Sequence, residues 1–594
     1  TFTPGERVGS IEVRGLAGTG GTQGGTFGAK NSFQWSDQLF YSRGNHSFEL
    51  GGDFQRIQLN EDAADRKRGQ WDFRGLQELL ELDVRRFRGA FPVNATGTFN
   101  IGLPIDVNYI KAWRQSYGAL YFRDRIRVTP HLNLDLGLRY EVMTSPTEAN
   151  GRASNALVAE VNAPFARVLS PDLNVGEKTW PTNYGAGFAP RIGIAWDPFG
   201  KGRTSVRAGF GVFYNQIDND YRFFLHINPP FSPRAETRTG FPNPFAVVPL
   251  DELELSGRSV DPNIDVPTVL HFNLGIEQEL GVGNVFKVGY VGSSGYHLLR
   301  ATEVNLRLPE LVNGELFWGD RRADFVQPLF GQWDLLMSNV NSNYHSLRTE
   351  FETRFGQQGL FRRIRSKVAY TFSKSMDDAS TLASSAGRNS RSKMLDQFDP
   401  GRERAVSTFN FAHLFSFNFT YDLADLPLDG LASALFNDWQ LNGIGTFSSG
   451  FPVGLNAGFN RSQSGQGTIV DRPDLIPGGN HSPVLGDPRR YYDVSQFVLP
   501  PAGFHGNVGR NTLDGPGFAT FDFSLVRNFP IFSISEEFNF QFRAEFFNLF
   551  NRPNFREPAN RIFSSSGNVR GSAARITETT AANRQIQFGL KLEF

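Results

Sequence analysis

The sequence predicts an all-β protein, an antiparallel transmembrane β-barrel with about 15 or 16 strands in this chain. Apolar and polar residues alternate along segments of about ten residues, which gives each strand one apolar and one polar face. Tight turns and long polar loops follow these segments in alternation. No segment approaches the ~18 to 20 consecutive apolar residues of a transmembrane helix, so a membrane span must consist of strands.

The composition excludes several classes of function. The chain has 594 residues, and its 60 basic residues balance 60 acidic ones. A neutral chain without a long basic tract gives no electrostatic reason to expect a nucleic-acid partner. There is no Cys, which removes thiolate metal sites and Cys nucleophiles and suits an oxidising compartment such as the periplasm. Mean hydropathy is −0.34 although 57 residues are Phe, so apolar residues must be finely interleaved with polar ones.

The whole chain, 1–594, is predicted to be one barrel domain whose terminal strand is 583–594. Turns at 198–202 and 281–284 predict two hairpins, 190–197 with 204–215 and 267–280 with 285–293. The best of the other strand candidates lie near 32–43, 46–60, 113–128, 131–144, 342–355, 365–374, 408–421, 437–449, 518–529 and 536–548.

Long polar stretches separate the predicted hairpins, and they alternate with the short turns. This asymmetry is typical of an outer-membrane barrel, which has short periplasmic turns and long extracellular loops. The first stretch contains Leu76, Leu79, Leu80, Asp83 and Phe87 at helical spacing, which predicts a short helix over the barrel rim. The stretches are roughly 61–112, 145–187, 216–266, 294–341, 376–405, 450–517 and 551–582.

Several motifs resemble those of TonB-dependent receptors of the Oar-like type, in the barrel region of that family. Together they span nearly the whole chain in the same order. They are Phe188-Ala189-Pro190-Arg191-Ile192-Gly193, Asp197-Pro198-Phe199-Gly200-Lys201-Gly202, Val288-Gly289-Tyr290-Val291-Gly292-Ser293, Ala369-Tyr370-Thr371-Phe372-Ser373-Lys374-Ser375-Met376-Asp377-Asp378, Trp439-Gln440-Leu441-Asn442-Gly443-Ile444, Asn507-Val508-Gly509-Arg510-Asn511 and the segment from Phe542 to Phe555.

The resemblance implies a barrel of 22 strands in the full-length protein, an N-terminal plug inside it, and a motif that couples the plug to the TonB protein. The chain departs from this pattern, because no plug-like segment or coupling motif precedes the first strand candidate. We therefore expect it to be the C-terminal portion of a longer receptor. The resemblance also fits a terminal strand that the barrel-assembly machinery recognises through alternating apolar residues. These are Phe588, Leu590, Leu592 and Phe594.

No pattern of catalytic residues stands out. The nine His show no HExxH spacing, and serines next to glycines lack the Gly-x-Ser-x-Gly elbow. The glycines between Gly18 and Gly28 favour a flexible loop over a nucleotide site. Acidic pairs at Asp377-Asp378 and Asp218-Asn219-Asp220 could hold calcium, although a solvated loop is the favoured interpretation. We expect no enzyme activity, no cofactor and no metal.

Aromatic and basic residues in the long loops are candidates for contact with an extracellular ligand, for which an oligosaccharide or a peptide is the expected class. The candidates are Tyr221, Arg222, Trp318, Arg321, Trp333, Tyr491 and Tyr492. The sequence thus favours a receptor in the outer membrane of a Gram-negative bacterium, in contact with its lipid, that admits a ligand to the periplasm with energy from TonB. A surface scaffold for binding or adhesion and a passive diffusion porin remain alternatives.

Overall fold

The computed structural model describes most of the chain. It covers residues 9–593 apart from 17, 22–27, 63, 94, 100–101, 161–166, 181–184, 216–222, 250–251, 282, 320–324, 329, 355–363, 381–393, 424–425, 466–469 and 531–538. The dominant element is one sheet of 22 strands, of which 15 are consecutive antiparallel neighbours and form what we call the wall. Of the other seven, six belong to long connections between wall strands and one, Ser10–Val13, precedes the first wall strand.

The wall strands are numbered in chain order. They are β1 Gly28–Arg43, β2 His46–Asp62, β3 Ile110–Thr129, β4 Leu132–Met143, β5 Ala186–Trp196, β6 Thr204–Tyr214, β7 Thr268–Glu279, β8 Asn284–Glu303, β9 Phe330–Arg354, β10 Ile364–Asp377, β11 His413–Asp422, β12 Trp439–Ser448, β13 Phe518–Pro530, β14 Asn539–Phe547 and β15 Gln585–Glu593. Each pairs with the next from β1 to β15, and within the described residues no pairing joins β15 to β1.

The connections confirm the predicted asymmetry. Seven long connections, numbered loop 1 to loop 7, alternate with seven shorter ones such as 44–45 and 130–131. They are 63–109, 144–185, 215–267, 304–329, 378–412, 449–517 and 548–584.

The predicted loop 294–341 is wrong at both ends, because β8 continues to Glu303 and β9 begins at Phe330. The upper part of β9 is buried on both faces, including Leu335, Leu336 and Met337. A strand buried on both faces loses the alternation that marks a half-buried strand.

The segments outside the wall contain short elements of their own. Their strands are Ser10–Val13, Gln70–Phe73, Arg86–Ala90, Thr147–Glu148, Ala153–Glu160, Arg167–Gly176, Arg234–Thr237, Glu254–Val260, Glu310–Val312, Glu315–Phe317, Ala405–Val406, Pro452–Val453, Asp474–Leu475, Val484–Asp487, Arg490–Tyr492, Phe497–Val498 and Leu513–Asp514. The helices include α1 Leu76–Leu80 and α2 Gly430–Phe436, with 3-10 turns at Phe223–Leu225, Pro244–Ala246, Pro400–Glu403 and Val494–Gln496. None of the helices among the described residues is both long and apolar enough to cross a membrane.

The predicted short helix is confirmed only in part. Leu76 and Leu80 lie in α1, and Leu79 packs against a cluster of buried aromatic residues in loop 1. Phe87 instead lies on the strand Arg86–Ala90, fully buried, with its ring centroid 4.4 Å from that of Trp71. The apolar spacing of 76–87 therefore combines a helical turn with the start of a strand.

The two faces of the wall differ in chemistry. On β9, Leu347 and Phe351 project from one face, and Arg348 and Glu350 project from the other. We call the apolar side the outer face and the charged side the inner face. On the terminal strand the outer face carries Phe588, Leu590 and Leu592, which are 70%, 70% and 57% exposed. Phe594 lies outside the described residues.

A substitution pair on β7 tests the assignment of the faces. Leu274 is exposed on the outer face, and its neighbour Asn273 faces inward. Leu274→Arg is expected to destabilise the protein in lipid vesicles by about 2–4 kcal/mol, because a guanidinium near the membrane midplane must be desolvated. Asn273→Arg, the matched control, should leave the urea unfolding midpoint nearly unchanged. Equal losses for both variants would reject the assignment.

Candidate ligand path at the inner face

Charged side chains on the inner face form ion pairs that run across neighbouring strands. Arg139 donates from Nη2 to Asp53 Oδ2 at 2.9 Å and from Nε to Glu141 Oε1 at 2.6 Å. These strands place such residues opposite one another because inner positions recur at every second residue. The result is a hydrated, charged surface that would be costly against lipid.

A second cluster of charges joins β8, β9 and β10. Lys287 Nζ and Lys367 Nζ each lie 2.8 Å from a carboxylate oxygen of Glu350, and Lys287 Nζ is also 3.4 Å from Glu352 Oε1. Two ammonium groups thus alternate with two carboxylates on the inner face. The cluster forms part of one side of a cavity.

That cavity, of about 670 Å³, lies along the inner face from β7 to β10. Glu277, Tyr344 and Arg348 line it together with Lys287 and Glu350, and residues 409–411 of loop 5 line its upper end. Its walls therefore offer charge of both signs and a phenol group, which suits a polar molecule.

A second cavity of about 580 Å³ adjoins the first, and Phe411 and Leu414 line both. The second cavity is aromatic, with Phe451, Phe518 and Phe555 in its lining. The ring centroids of Phe411 and Phe451 are 4.3 Å apart. The pair Arg556–Glu578, 2.5 Å between Nη1 and Oε2, adds charge at its edge. We call the two cavities together the inner furrow.

Above the furrow the loops pack into a layer with its own buried core. The strand Glu254–Val260 runs parallel to the upper part of β9, and this pairing continues the wall sheet into the loops. Trp333 is fully buried there and donates from Nε1 to Ser259 Oγ at 2.8 Å. The layer is therefore a packed part of the fold, and the upper end of the wall is continuous with it.

Buried charges in this layer are held by partners from different loops. Asp65 of loop 1 accepts a hydrogen bond from Arg234 of loop 3 at 3.1 Å. Burial acts to raise the pKa of Asp65, but Arg66, Arg234 and Arg258 outweigh it and lower that pKa to about 2. Asp65 therefore stays ionised, and its charge links loop 1 to loop 3.

The motifs 369–378 and 507–511, which are far apart in the sequence, meet at the rim of the wall. Arg510 of loop 6 donates from Nη2 to Asp377 Oδ1 at the end of β10 and from Nε to the Glu403 carbonyl oxygen at 2.9 Å. Arg472 donates to both carboxylate oxygens of Glu403, at 2.7 and 2.8 Å. We call these four residues the rim latch. It fastens loops 5 and 6 to each other and to the wall.

The rim latch includes Asp377 of the acidic pair Asp377-Asp378, which the sequence offered as a possible calcium site. Asp378 pairs with Arg404 at 3.3 Å, so both carboxylates of Asp377-Asp378 face guanidinium groups. In the described part of the chain no group of three or more His, Asp or Glu residues could hold a metal ion. Residues 218–220 lie outside the described residues.

The segment 548–555 forms a turn at the rim above β13 to β15. Asn548, with a φ of 48°, accepts a hydrogen bond from the Arg552 backbone N–H at 3.1 Å. Asn554 accepts from the Ala519 N–H at 2.8 Å and donates to the Ala519 carbonyl oxygen at 3.0 Å. This motif therefore closes the backbone at the rim and leaves Phe555 in the furrow.

The candidate ligand contacts lie mostly inside the loop layer. Trp318 is buried with its ring centroid 4.1 Å from that of His505. Tyr491 donates to the Asp514 carbonyl oxygen at 3.1 Å, and Tyr492 donates to the Ala559 carbonyl oxygen at 3.0 Å. Burial raises the pKa of Tyr491 to about 12, so its hydroxyl remains a proton donor.

These three and the buried Trp333 pack the loops in this structure. That they contact a ligand stays a prediction, as it does for the remaining candidates Tyr221, Arg222 and Arg321, which lie outside the described residues. The furrow residues were not among the site residues predicted from the sequence. Alternation marks Arg348 as facing inward, but only the folding of loops 6 and 7 brings Phe451 and Phe555 together.

The rim latch yields a stability prediction. Arg510→Met leaves the Asp377 carboxylate, which is 3% exposed, without its guanidinium, and should cost about 3–5 kcal/mol in urea unfolding. Limited proteolysis should then cut loops 5 and 6 faster. Arg489→Met is the matched control, since the exposed pair Arg489–Asp487 is hydrated and its loss should have no measurable effect. Equal stability of the two variants would contradict the role of the latch.

Comparisons with known proteins agree with this architecture. A family model described as outer membrane beta barrel domain matches residues 3–587. The outer membrane transporter YddB from Escherichia coli is similar in structure, with 11% identity and a TM-score of 0.53 over 98% of this chain and 57% of that one. The ferric-catecholate import receptor Fiu from Escherichia coli K12 has 10% identity and a TM-score of 0.41 over 96% and 55%. The chain thus spans little more than half of these structures, and no curated protein matches it.

Proposed function

Because the chain belongs to the outer membrane β-barrel domain family, we propose that it is the barrel of a receptor that binds an extracellular ligand and admits it to the periplasm. Family membership confirms the predicted barrel and its location in the outer membrane of a Gram-negative bacterium. The proposal assigns energy input to TonB, acting through a plug contributed by polypeptide outside this chain. It assigns the chain no catalytic activity.

The observation that carries the proposal is the inner furrow beneath a packed loop layer. A diffusion porin needs an open aqueous channel, whereas here loop 5 contributes to the lining of both cavities, and loops 6 and 7 contribute to the lining of the second. A ligand in the furrow would therefore contact these loops as well as the wall. A site shared by the wall and the loops favours ligand-dependent uptake.

The chemistry of the furrow suggests the class of ligand. Phe411, Phe451 and Phe555 offer flat apolar faces, and Arg348 and Glu350 offer charged hydrogen-bonding groups along the same inner face. Oligosaccharides and peptides both combine apolar faces with many polar groups. We therefore propose one of these two classes, each consistent with a site that is partly aromatic and partly charged.

Uptake into cells that express the full-length receptor tests the proposal. Two fluorescent probe sets are used, maltooligosaccharides and peptides from casein. We expect one set to accumulate in the periplasm, and a protonophore or deletion of TonB should abolish this. Phe451→Ala should reduce uptake several-fold, because it removes an aromatic face of the furrow, whereas Phe550→Ala, an exposed control at the rim, should not.

The other outcomes separate the alternatives. Accumulation that survives the protonophore would indicate passive diffusion through a porin. Probe retained on the cell surface without accumulation would indicate a scaffold for binding or adhesion. Either result would overturn the proposal of active uptake.

We also propose that the terminal strand is a recognition signal for the barrel-assembly machinery. Among the described residues, β15 pairs with β14 alone, and its outer row is the most exposed apolar row of the wall. Phe588→Ser with Leu590→Ser should lower the amount of barrel in the outer membrane several-fold in cells. Gln587→Ser, on the inner face, serves as the control. Equal amounts of both variants would refute the signal.

A further inference from the structure

A row of basic side chains lies on the outer face of the wall, where lipid is expected. His345 on β9 and Lys374 on β10 are direct neighbours across the sheet, and both are exposed. His413 on β11 is exposed one row lower, next to Phe372. Arg404 of loop 5 lies above them and donates to Asn343 Oδ1 at 2.6 Å. We call these four residues the outer basic patch.

The outward orientation of Lys374 and His345 follows from the pairing register of β9 and β10. On β10, Lys374 shares its face with Tyr370 and Phe372, and the opposite face carries Lys367, which belongs to the inner charge cluster. On β9, His345 shares its face with Leu347, which is 46% exposed. The patch therefore belongs to the surface that contacts the membrane.

The height of the patch corresponds to the upper edge of the apolar band. Lys374 is ten residues along β10 from Ile364. At a rise of about 3.3 Å per residue and a strand tilt of about 40°, it stands roughly 25 Å above the lower end of the strand, which is about the height of the apolar band of outer-membrane barrels. Phe272, Leu347 and Phe372 border the patch at this level and below. Its charges consequently lie where lipid headgroups begin.

Two tyrosines hold the imidazole rings of the patch. The Tyr290 hydroxyl lies 2.6 Å from His345 Nδ1, and the Tyr370 hydroxyl lies 2.8 Å from His413 Nδ1. When each hydroxyl donates to Nδ1, the proton of the ring resides on Nε2, which is then a donor for an external acceptor. The rings are thus oriented as hydrogen-bond donors without need of a net charge.

Positive charge exceeds negative charge in this area. Among the described residues Lys374 forms no ion pair, and the one carboxylate that contacts the patch, Asp378, is bound by Arg404 at 3.3 Å. An exposed ammonium next to lipid, with imidazole and guanidinium groups close by, is complementary to phosphate.

From this placement we propose that the outer basic patch binds the phosphate groups of a phosphorylated glycolipid in the outer leaflet. The site is built from three wall strands and loop 5. Because Arg404 belongs to loop 5 and pairs with Asp378, next to Asp377 of the rim latch, the bound lipid would contact a loop that also lines the furrow. The proposal does not depend on the receptor function.

Binding of lipid A to the chain in detergent micelles tests the proposal. The probes are bis-phosphorylated lipid A, the same lipid after enzymatic removal of its phosphates, and inorganic phosphate. We expect the phosphorylated lipid to bind at least tenfold more tightly than the dephosphorylated one. Lys374→Gln should weaken its binding about fivefold, which corresponds to one basic residue at an anionic surface.

The control variants separate charge from structure. Lys374→Arg keeps the charge and should bind as the natural chain does. Lys201→Gln removes an exposed lysine in the short turn between β5 and β6 and should have no effect. Heat-modified mobility on gels shows whether each variant has folded, and His345→Gln supplies a second site variant.

Three results would overturn the proposal. These are equal affinity for both lipids, an unchanged affinity of folded Lys374→Gln and His345→Gln, and competition by inorganic phosphate at concentrations similar to those of the lipid. The last result would indicate a site for free anions and no lipid specificity.

Discussion

Backbone hydrogen bonding between neighbouring strands is the constraint on which the rest of this structure depends. Lipid offers no partner for an N–H or a carbonyl group, so each strand that crosses the membrane must pair on both sides. The fourteen consecutive antiparallel pairings meet this requirement for β2 to β14, whereas among the described residues β1 and β15 each pair on one side. Once the pairing register is set, successive side chains point to opposite faces of the sheet. Leu347 and Phe351 therefore lie on one face, and Arg348 and Glu350 lie on the other. Both the apolar belt and the charged inner face follow from it.

The loop layer is stabilised in a different way, by a buried core like that of a water-soluble domain. Residues of four loops bury Trp333, Leu335 and their neighbours, and ion pairs such as Asp65–Arg234 and Glu403–Arg472 join loops that are distant in sequence. Because each of these pairs is largely buried, loss of one partner is costly while the intact pair fixes the relative positions of the loops. The inner furrow lies between this layer and the wall, so its shape depends on the layer remaining packed.

The wall was predictable from the sequence, but the loop layer was not. Period-two alternation located segments such as 131–144 and the terminal strand, because each has one face in lipid and one in water. It missed the upper part of β9, where both faces are buried in protein. Trp333 and Tyr492 were candidates for ligand contact because they are aromatic residues in long polar stretches, whereas the structure buries both. Their burial depends on contacts between different loops, which no local pattern records. The furrow was missed for the same reason, because Phe451 and Phe555 are about a hundred residues apart.

Accessibility scanning along β9 tests the account most directly. The chain has no Cys, so single cysteines can be introduced from position 331 to 353 and labelled in lipid vesicles. The account predicts alternation from 347 to 353, with Leu347 and Phe351 quenched by lipid-soluble agents and Arg348 and Glu350 reached by water-soluble ones. It predicts protection from both agents at buried positions from 333 to 337. Uniform access to water along the strand, or alternation that continues through 333 to 337, would contradict it.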